Sequence, residues 1–230
     1  MRRATTAALI PLFALLLAAV PAIAAAPQGV AQHRAAAAKV KATEPETVAE
    51  KCQRWTVQVW VDGKFHGSGV CNEERIVTAA HLFEEPYSKV EVVTFHGCKL
   101  PVTMTAVCYK RDLAALSLPK GVRVEGPKWT AAAPKVGARI LAVGSPASLH
   151  GTVSAGMVSY VGRQTQLWGE VDQTDATIYF GSSGGGIYEE RSGDLVGIIV
   201  GLRAQQATLN FFVPVRTLRG FYEANQLTPG

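Results

Sequence analysis

The chain has 230 residues, 48% of them hydrophobic, and a formal net charge of +5. That length closes one or two hydrophobic cores but not several domains. The mild basic excess is scattered, with no stripe of Lys and Arg interleaved with aromatics, so no nucleic-acid partner is expected.

Met1-Arg2-Arg3, an apolar run over 9–20 and the small-residue stretch Pro21-Ala22-Ile23-Ala24 have the three parts of a secretory signal. Cleavage after Ala24 leaves a charge of about +3, because Arg2 and Arg3 go with the leader. The run is interrupted by Pro11 and is shorter than the ~20 residues a spanning helix needs. Export to the periplasm or outside the cell is therefore expected, with no stable membrane insertion once the signal is removed; a retained anchor is the alternative. Residues 25–52 are rich in Ala with few large apolar side chains, which reads as a linker or frayed helix.

From Trp55 the pattern becomes alternation. Thr56-Val57-Gln58-Val59-Trp60-Val61, then Asp62-Gly63, then 65–70, predicts a β-hairpin about an Asp-Gly turn. Further strands are expected at 75–78, 90–95, 102–107, 113–118, 140–143, 153–161, 167–171, 185–188, 195–200 and 211–213. A strand about every ten residues indicates barrels or a sandwich. Residues 121–134 alternate little and carry Gly126-Pro127 and Pro134, the natural crossover between two halves. A helix is expected over 215–225, where Leu218, Phe221 and Tyr222 share a face.

The four cysteines, Cys52, Cys71, Cys98 and Cys108, allow two disulfides in an oxidising compartment, in three pairings. If Cys98 and Cys108 end one strand they lie ~33 Å apart, so that pairing is disfavoured. No CxxC or HxxxH spacing supports a metal site, and no cofactor is expected.

Gly181-Ser182-Ser183-Gly184-Gly185-Gly186 is the string with chemical content. Glycines beside a serine let the backbone present a hydroxyl and amide N–H groups to one small space. Alone it also suits a flexible loop; a phosphate loop is excluded because no Gly-Lys-Ser/Thr ending follows. A serine nucleophile needs a base, and a base needs an orienting group. Thr78-Ala79-Ala80-His81 supplies an imidazole leaving a strand end, and Arg111-Asp112-Leu113 a carboxylate opening an apolar strand, where it would be half-buried. Together these make His81, Asp112 and Ser183 the candidate catalytic residues.

Gly67-Ser68-Gly69-Val70, Thr78-Ala79-Ala80-His81, Asp112-Leu113-Ala114, Ala142-Val143-Gly144-Ser145-Pro146, Gln173-Thr174-Asp175-Ala176 and Gly181-Ser182-Ser183-Gly184-Gly185, in that order, resemble the protease domain of the trypsin-like HtrA/Deg serine peptidases. The resemblance implies an all-β fold of two six-stranded antiparallel barrels with a short C-terminal helix, over 53–228, the first barrel at about 53–120 and the second at about 135–215. It implies a serine endopeptidase acting on protein or peptide substrates, an oxyanion hole from the Gly181 and Ser183 amides, and a primary pocket built from 177–180, 199–201 and 210–213, with Thr177, Ile178, Phe180, Ile199, Val200, Gly201 and Phe212 as its binding residues. None of these is acidic, so small or medium apolar side chains are the expected preference.

The sequence departs from the family pattern in three ways. Few residues follow the expected helix, so no peptide-binding PDZ domain is expected. Ser182 stands where many secreted relatives place an aspartate that pairs with a newly cut amino terminus, so no activation by that ion pair is implied. Phe180 replaces a smaller residue and could close the pocket. A catalytically impaired binding or chaperone module and a small-ester hydrolase therefore remain as alternative readings.

Overall fold

Asp62 and Gly63 both adopt left-handed backbone angles, φ 48° and 77°, the mirror-image two-residue turn whose twist matches that of paired strands. It joins β1 (Thr56–Val61) to β2 (Lys64–Asn72), with Val61 opposite Lys64. The computed structural model describes residues 45–202 and 209–228. The expected signal and most of the Ala-rich segment lie outside the described residues. Among those described, no helix is long and apolar enough to cross a membrane.

The chain continues through β3 (Arg75–Thr78), β4 (Val90–Val93), β5 (Lys99–Cys108) and β6 (Leu113–Ser117). It resumes with β7 (Arg139–Gly144), β8 (Thr152–Thr165), β9 (Gly169–Thr174), β10 (Gly186–Glu189), β11 (Leu195–Leu202) and β12 (Asn210–Pro214). All pairings between strands are antiparallel, and they close into two barrels, β1-β2-β3-β6-β5-β4 and β10-β11-β12-β9-β8-β7. Closure leaves neither sheet with an unpaired edge strand. The region 121–134 carries no strand and only two isolated bridges, at Val124 and Trp129.

Two helices flank the barrels. α1 (Val48–Arg54) starts at a capping box in which Thr47 and Glu50 bond each other's backbone amides, so the end of the 25–52 segment is a capped helix rather than a frayed one. α2 (Val215–Ala224) buries Val215, Leu218, Phe221 and Tyr222, residues spaced to share one face. One apolar cluster fills the first barrel around Val57, Val59, Ile76, Val92 and Leu116, and another fills the second around Ile140, Val158, Ile187 and Phe212. A third joins Val70, Val77 and Leu113 of the first barrel to Val143, Tyr188 and Ile198 of the second, with Phe221 and Tyr222 of α2. The two barrels thus share an apolar seam, and the Asn72 side-chain amide reaches across to the Tyr222 hydroxyl at 2.9 Å.

The expected disulfides are not formed: all four cysteines are free thiols. Cys98 and Cys108 bracket β5, at opposite ends of an extended strand. Cys52 packs into the seam and Cys71 into the first barrel. Burial pushes both thiols up to about 12, so neither supplies a thiolate at neutral pH.

Candidate active site

β3 ends at Thr78, and Ala79 and Ala80 turn the chain into a short 3₁₀ segment, Ala80–Phe83, that carries His81. Both alanines are fully buried; a larger side chain at either would collide with the barrel end and displace the imidazole. Asp112 sits between another 3₁₀ turn and β6, in the left-handed conformation at φ 52°. That conformation is one that aspartate tolerates better than most residues. It is 3% exposed, more deeply enclosed than a strand-opening aspartate was expected to be. Its two oxygens divide their work: Oδ2 accepts from His81 Nδ1–H at 2.7 Å, and Oδ1 accepts from the His81 backbone N–H at 2.8 Å. With Nδ1 donating, the His81 ring presents Nε2 as its basic atom.

The 180–185 segment follows a single rule. Every carbonyl from Phe180 to Ser183 is held by a donor: Phe180 by Ala147 N–H at 2.9 Å, Gly181 by the Ser68 hydroxyl at 2.7 Å, Ser182 by Gly185 N–H at 2.9 Å and Ser183 by Ser68 N–H at 2.8 Å. Of the amides, Ser182 donates to Tyr179 at 2.9 Å and Gly184 to Ile199 at 2.7 Å. The Gly181 and Ser183 amides have no acceptor among the described residues. A trans peptide is flat with its C=O and N–H opposed, so pinning the Phe180 and Ser182 carbonyls sets the direction of those two free N–H groups. Gly181 has φ +96° and a Cβ there would lie 2.6 Å from the Ser145 carbonyl oxygen, so glycine is required for both angle and space. Gly184, at φ +83°, is closed off in the same way by the Ser68 carbonyl oxygen and Thr78 Oγ1.

His81, Gly181 and Ser183 line one cleft of about 490 Å³, together with Phe65, His66, Leu82, Ile178, Tyr179, Phe180, Val200 and Gly201. No carboxylate is among these residues. The Ser183 hydroxyl makes no hydrogen bond among the described residues. Phe180 does not plug the cleft: it is 66% exposed and packs edge-on against Tyr179 at the rim.

Four of the seven expected binding residues, Ile178, Phe180, Val200 and Gly201, face this cleft. Ile199 and Phe212 do not. They are cross-strand partners packed in the core of the second barrel, 1% and 0% exposed. Adjacent residues of a strand point to opposite faces, so Ile199 turns into the second barrel while Val200, only 2% exposed, packs with Ile198 in the inter-barrel cluster at the cleft wall. Thr177 is exposed and does not line the cleft; it lines, with Ser182, a separate void of about 10 Å³. Phe65, His66 and Leu82 come from the first barrel and were not expected. The adjacency of Phe65-His66 to the Gly67-Ser68-Gly69 string was the one signal that could have flagged the first two.

Residues 67–198 match the family described as trypsin-like peptidase domain. The chain is similar to the mitochondrial serine protease HTRA2 of Drosophila pseudoobscura pseudoobscura, 30% identical over 169 residues that make up 69% of this chain and 38% of that protein. It therefore spans well under half the length of that relative. Among solved structures it is similar to an inactive form of Rv3671c from M. tuberculosis, with a TM-score of 0.67 and 18% identity over 82% of this chain and 96% of that one. It is also similar to the HtrA-type protease AlgW with a decapeptide, with a TM-score of 0.64 and 22% identity over 71% of this chain and 52% of that one. At those identities the structural likenesses speak for the fold.

Proposed function

This chain belongs to the trypsin-like peptidase family, and from that premise we propose that it is an exported serine endopeptidase that works through His81, Asp112 and Ser183. Ser183 Oγ attacks the scissile carbonyl as His81 Nε2 takes its proton. Asp112 keeps Nδ1 as the donor and stabilises the imidazolium that results. The oxyanion accepts from the Gly181 and Ser183 amides, which need no rearrangement because their peptide planes are already held. His81 then gives its proton to the leaving amine, and water, activated by the same ring, hydrolyses the acyl-enzyme. Export rests on the leader-like segment over 1–24.

The observation that carries this reading is the pair of amides, Gly181 and Ser183, that have no acceptor among the described residues, in a loop where the carbonyls from Phe180 to Ser183 are all bonded, beside an imidazole whose tautomer is set by Asp112. A loop built only for shape would have no reason to leave those two donors free. The open cleft with Phe180 at its rim speaks against a collapsed, binding-only module. The test is labelling by a peptidyl phosphonate together with casein hydrolysis. Covalent labelling at Ser183 and cleavage of casein are expected, both lost in Ser183→Ala. Labelling with hydrolysis of nitrophenyl esters alone would make it an esterase, and no labelling would refute the assignment.

A further inference from the structure

Ser68 lies on β2 of the first barrel, outside the His81, Asp112 and Ser183 set, and is fully buried. Every polar atom it has is engaged. Its N–H donates to the Ser183 carbonyl at 2.8 Å and its carbonyl accepts from Thr78 Oγ1 at 2.6 Å, one strand-end away from His81. Its hydroxyl donates to the Gly181 carbonyl at 2.7 Å and accepts from Ser145 N–H at 2.9 Å. One hydroxyl thus uses its proton and a lone pair on two different segments of the second barrel.

The two segments hold the two peptide planes that flank Gly181, and the Gly181 N–H belongs to the preceding plane, which the Ser145 side reaches. The Gly181 carbonyl fixes the peptide plane that follows Gly181. Ser145 begins the Pro146-Ala147 turn, whose Ala147 N–H holds the Phe180 carbonyl at 2.9 Å and so fixes the plane that precedes Gly181. That turn holds Ala147 and Ser148 at φ 48° and 67°, unfavourable for residues with a Cβ, so it needs outside support to keep its shape. Gly181, as a glycine, offers little resistance of its own to rotation of either plane.

Building on the proposed mechanism, we infer that Ser68 is a positioning residue of the reaction, whose hydroxyl aims the Gly181 amide at the developing oxyanion from across the barrel interface. Replacing the hydroxyl by hydrogen leaves the Gly181 carbonyl and the Ser145 N–H buried without that partner, and the two planes are then held only by the Ala147 and Ser182 bonds, the first of them on a turn that has lost its support. The substrate side chain and backbone bind elsewhere in the cleft, so the loss falls on the tetrahedral state.

The experiment is steady-state hydrolysis of a peptide substrate by Ser68→Ala, alongside the affinity of a peptide boronate, which forms a tetrahedral adduct with Ser183. The expected result is a loss of about 10- to 100-fold in kcat with KM within about threefold, and a matching loss in boronate affinity, less than removing an oxyanion donor outright. Ser68→Cys, of similar size with a weaker donor, falls between and serves if the alanine variant does not fold. Wild-type kcat in both variants overturns the inference, as does a loss confined to KM or a kcat loss with boronate affinity unchanged. A wild-type protein that resists the phosphonate sinks the proposed function itself, and this inference with it.

Discussion

Asp112 grips His81 at two points, the ring Nδ1 at 2.7 Å and the backbone N–H at 2.8 Å, so one buried carboxylate sets both the tautomer of the imidazole and the path of the strand end that carries it. Asp112→Asn keeps the left-handed backbone but offers an amide where Nδ1–H needs an acceptor, which favours the wrong tautomer. A fall in kcat on the order of 10⁴ is expected with a melting temperature close to wild type. Steady-state kinetics beside thermal denaturation checks this; a drop below tenfold would show that Asp112 only anchors the backbone.

Arg216, at the start of α2, donates to both oxygens of Asp172 at 2.9 and 2.6 Å and to Glu170 at 2.7 Å. The Asp172 side chain is fully buried and also accepts from Gly162 N–H at 2.8 Å. Arg216→Met leaves that carboxylate without its cation and is expected to cost about 3 kcal/mol, or roughly 6–12 °C in melting temperature. Glu170→Gln, at a side chain 40% exposed, changes stability by at most about 0.5 kcal/mol. Calorimetry on the two variants separates the partners.

Ser182 is buried next to a void of only about 10 Å³ whose described lining residues include no cation to receive a carboxylate. Ser182→Asp is expected to destabilise the fold by about 2 kcal/mol or more and to add no activity. Higher activity in that variant after trimming of the amino terminus would show that an ion-pair switch can operate here after all.

His150 packs its ring on Phe95 and donates from Nε2 to the Thr56 carbonyl at 3.2 Å. Burial holds its imidazole below the ordinary value of 6.5, outweighing the carbonyl, which favours the proton. As the pH falls through 6.5 the unfolded chain takes up this proton first, so the stability from the neutral ring is present above that pH and is lost below it. His150→Gln, which keeps a donor for Thr56, should flatten the decline in melting temperature between about pH 7 and 5. An unchanged slope would assign the decline to other groups.

With no carboxylate in the cleft, a cationic side chain entering the primary pocket would be desolvated unpaired. A peptide library is expected to show kcat/KM at least about tenfold higher for apolar than for Lys or Arg residues on the acyl side of the cut. Preference for Lys or Arg would mean that an acidic group outside the described cleft reaches the pocket.

Much of this molecule can be read from the chain. Period-two alternation is a local property of extended backbone, so all twelve strands were expected near their observed positions, along with α2 and the crossover between barrels. Their ends differ where turns intervene: the strand expected from 167 begins at Gly169, because 166–168 form the turn out of β8. The order His81, Asp112, Ser183 was legible because each sits beside small or apolar residues that mark a strand end.

What alternation cannot report is which faces meet once strands curl, bulge and close. Ile199 and Phe212 pair in regular register and alternate into the core of the second barrel, on the opposite face of β11 from Val200, and only barrel closure decides which of those faces is inside. Ser68 reads as one polar residue among glycines, and only barrel closure puts its hydroxyl between Gly181 and Ser145, 113 and 77 residues away. Cys52 and Cys71 likewise take their partners from the packing around them. The sequence determined where strands run and which residue types can do chemistry; long-range packing, which couples residues with no local correlation, decided what each of them touches.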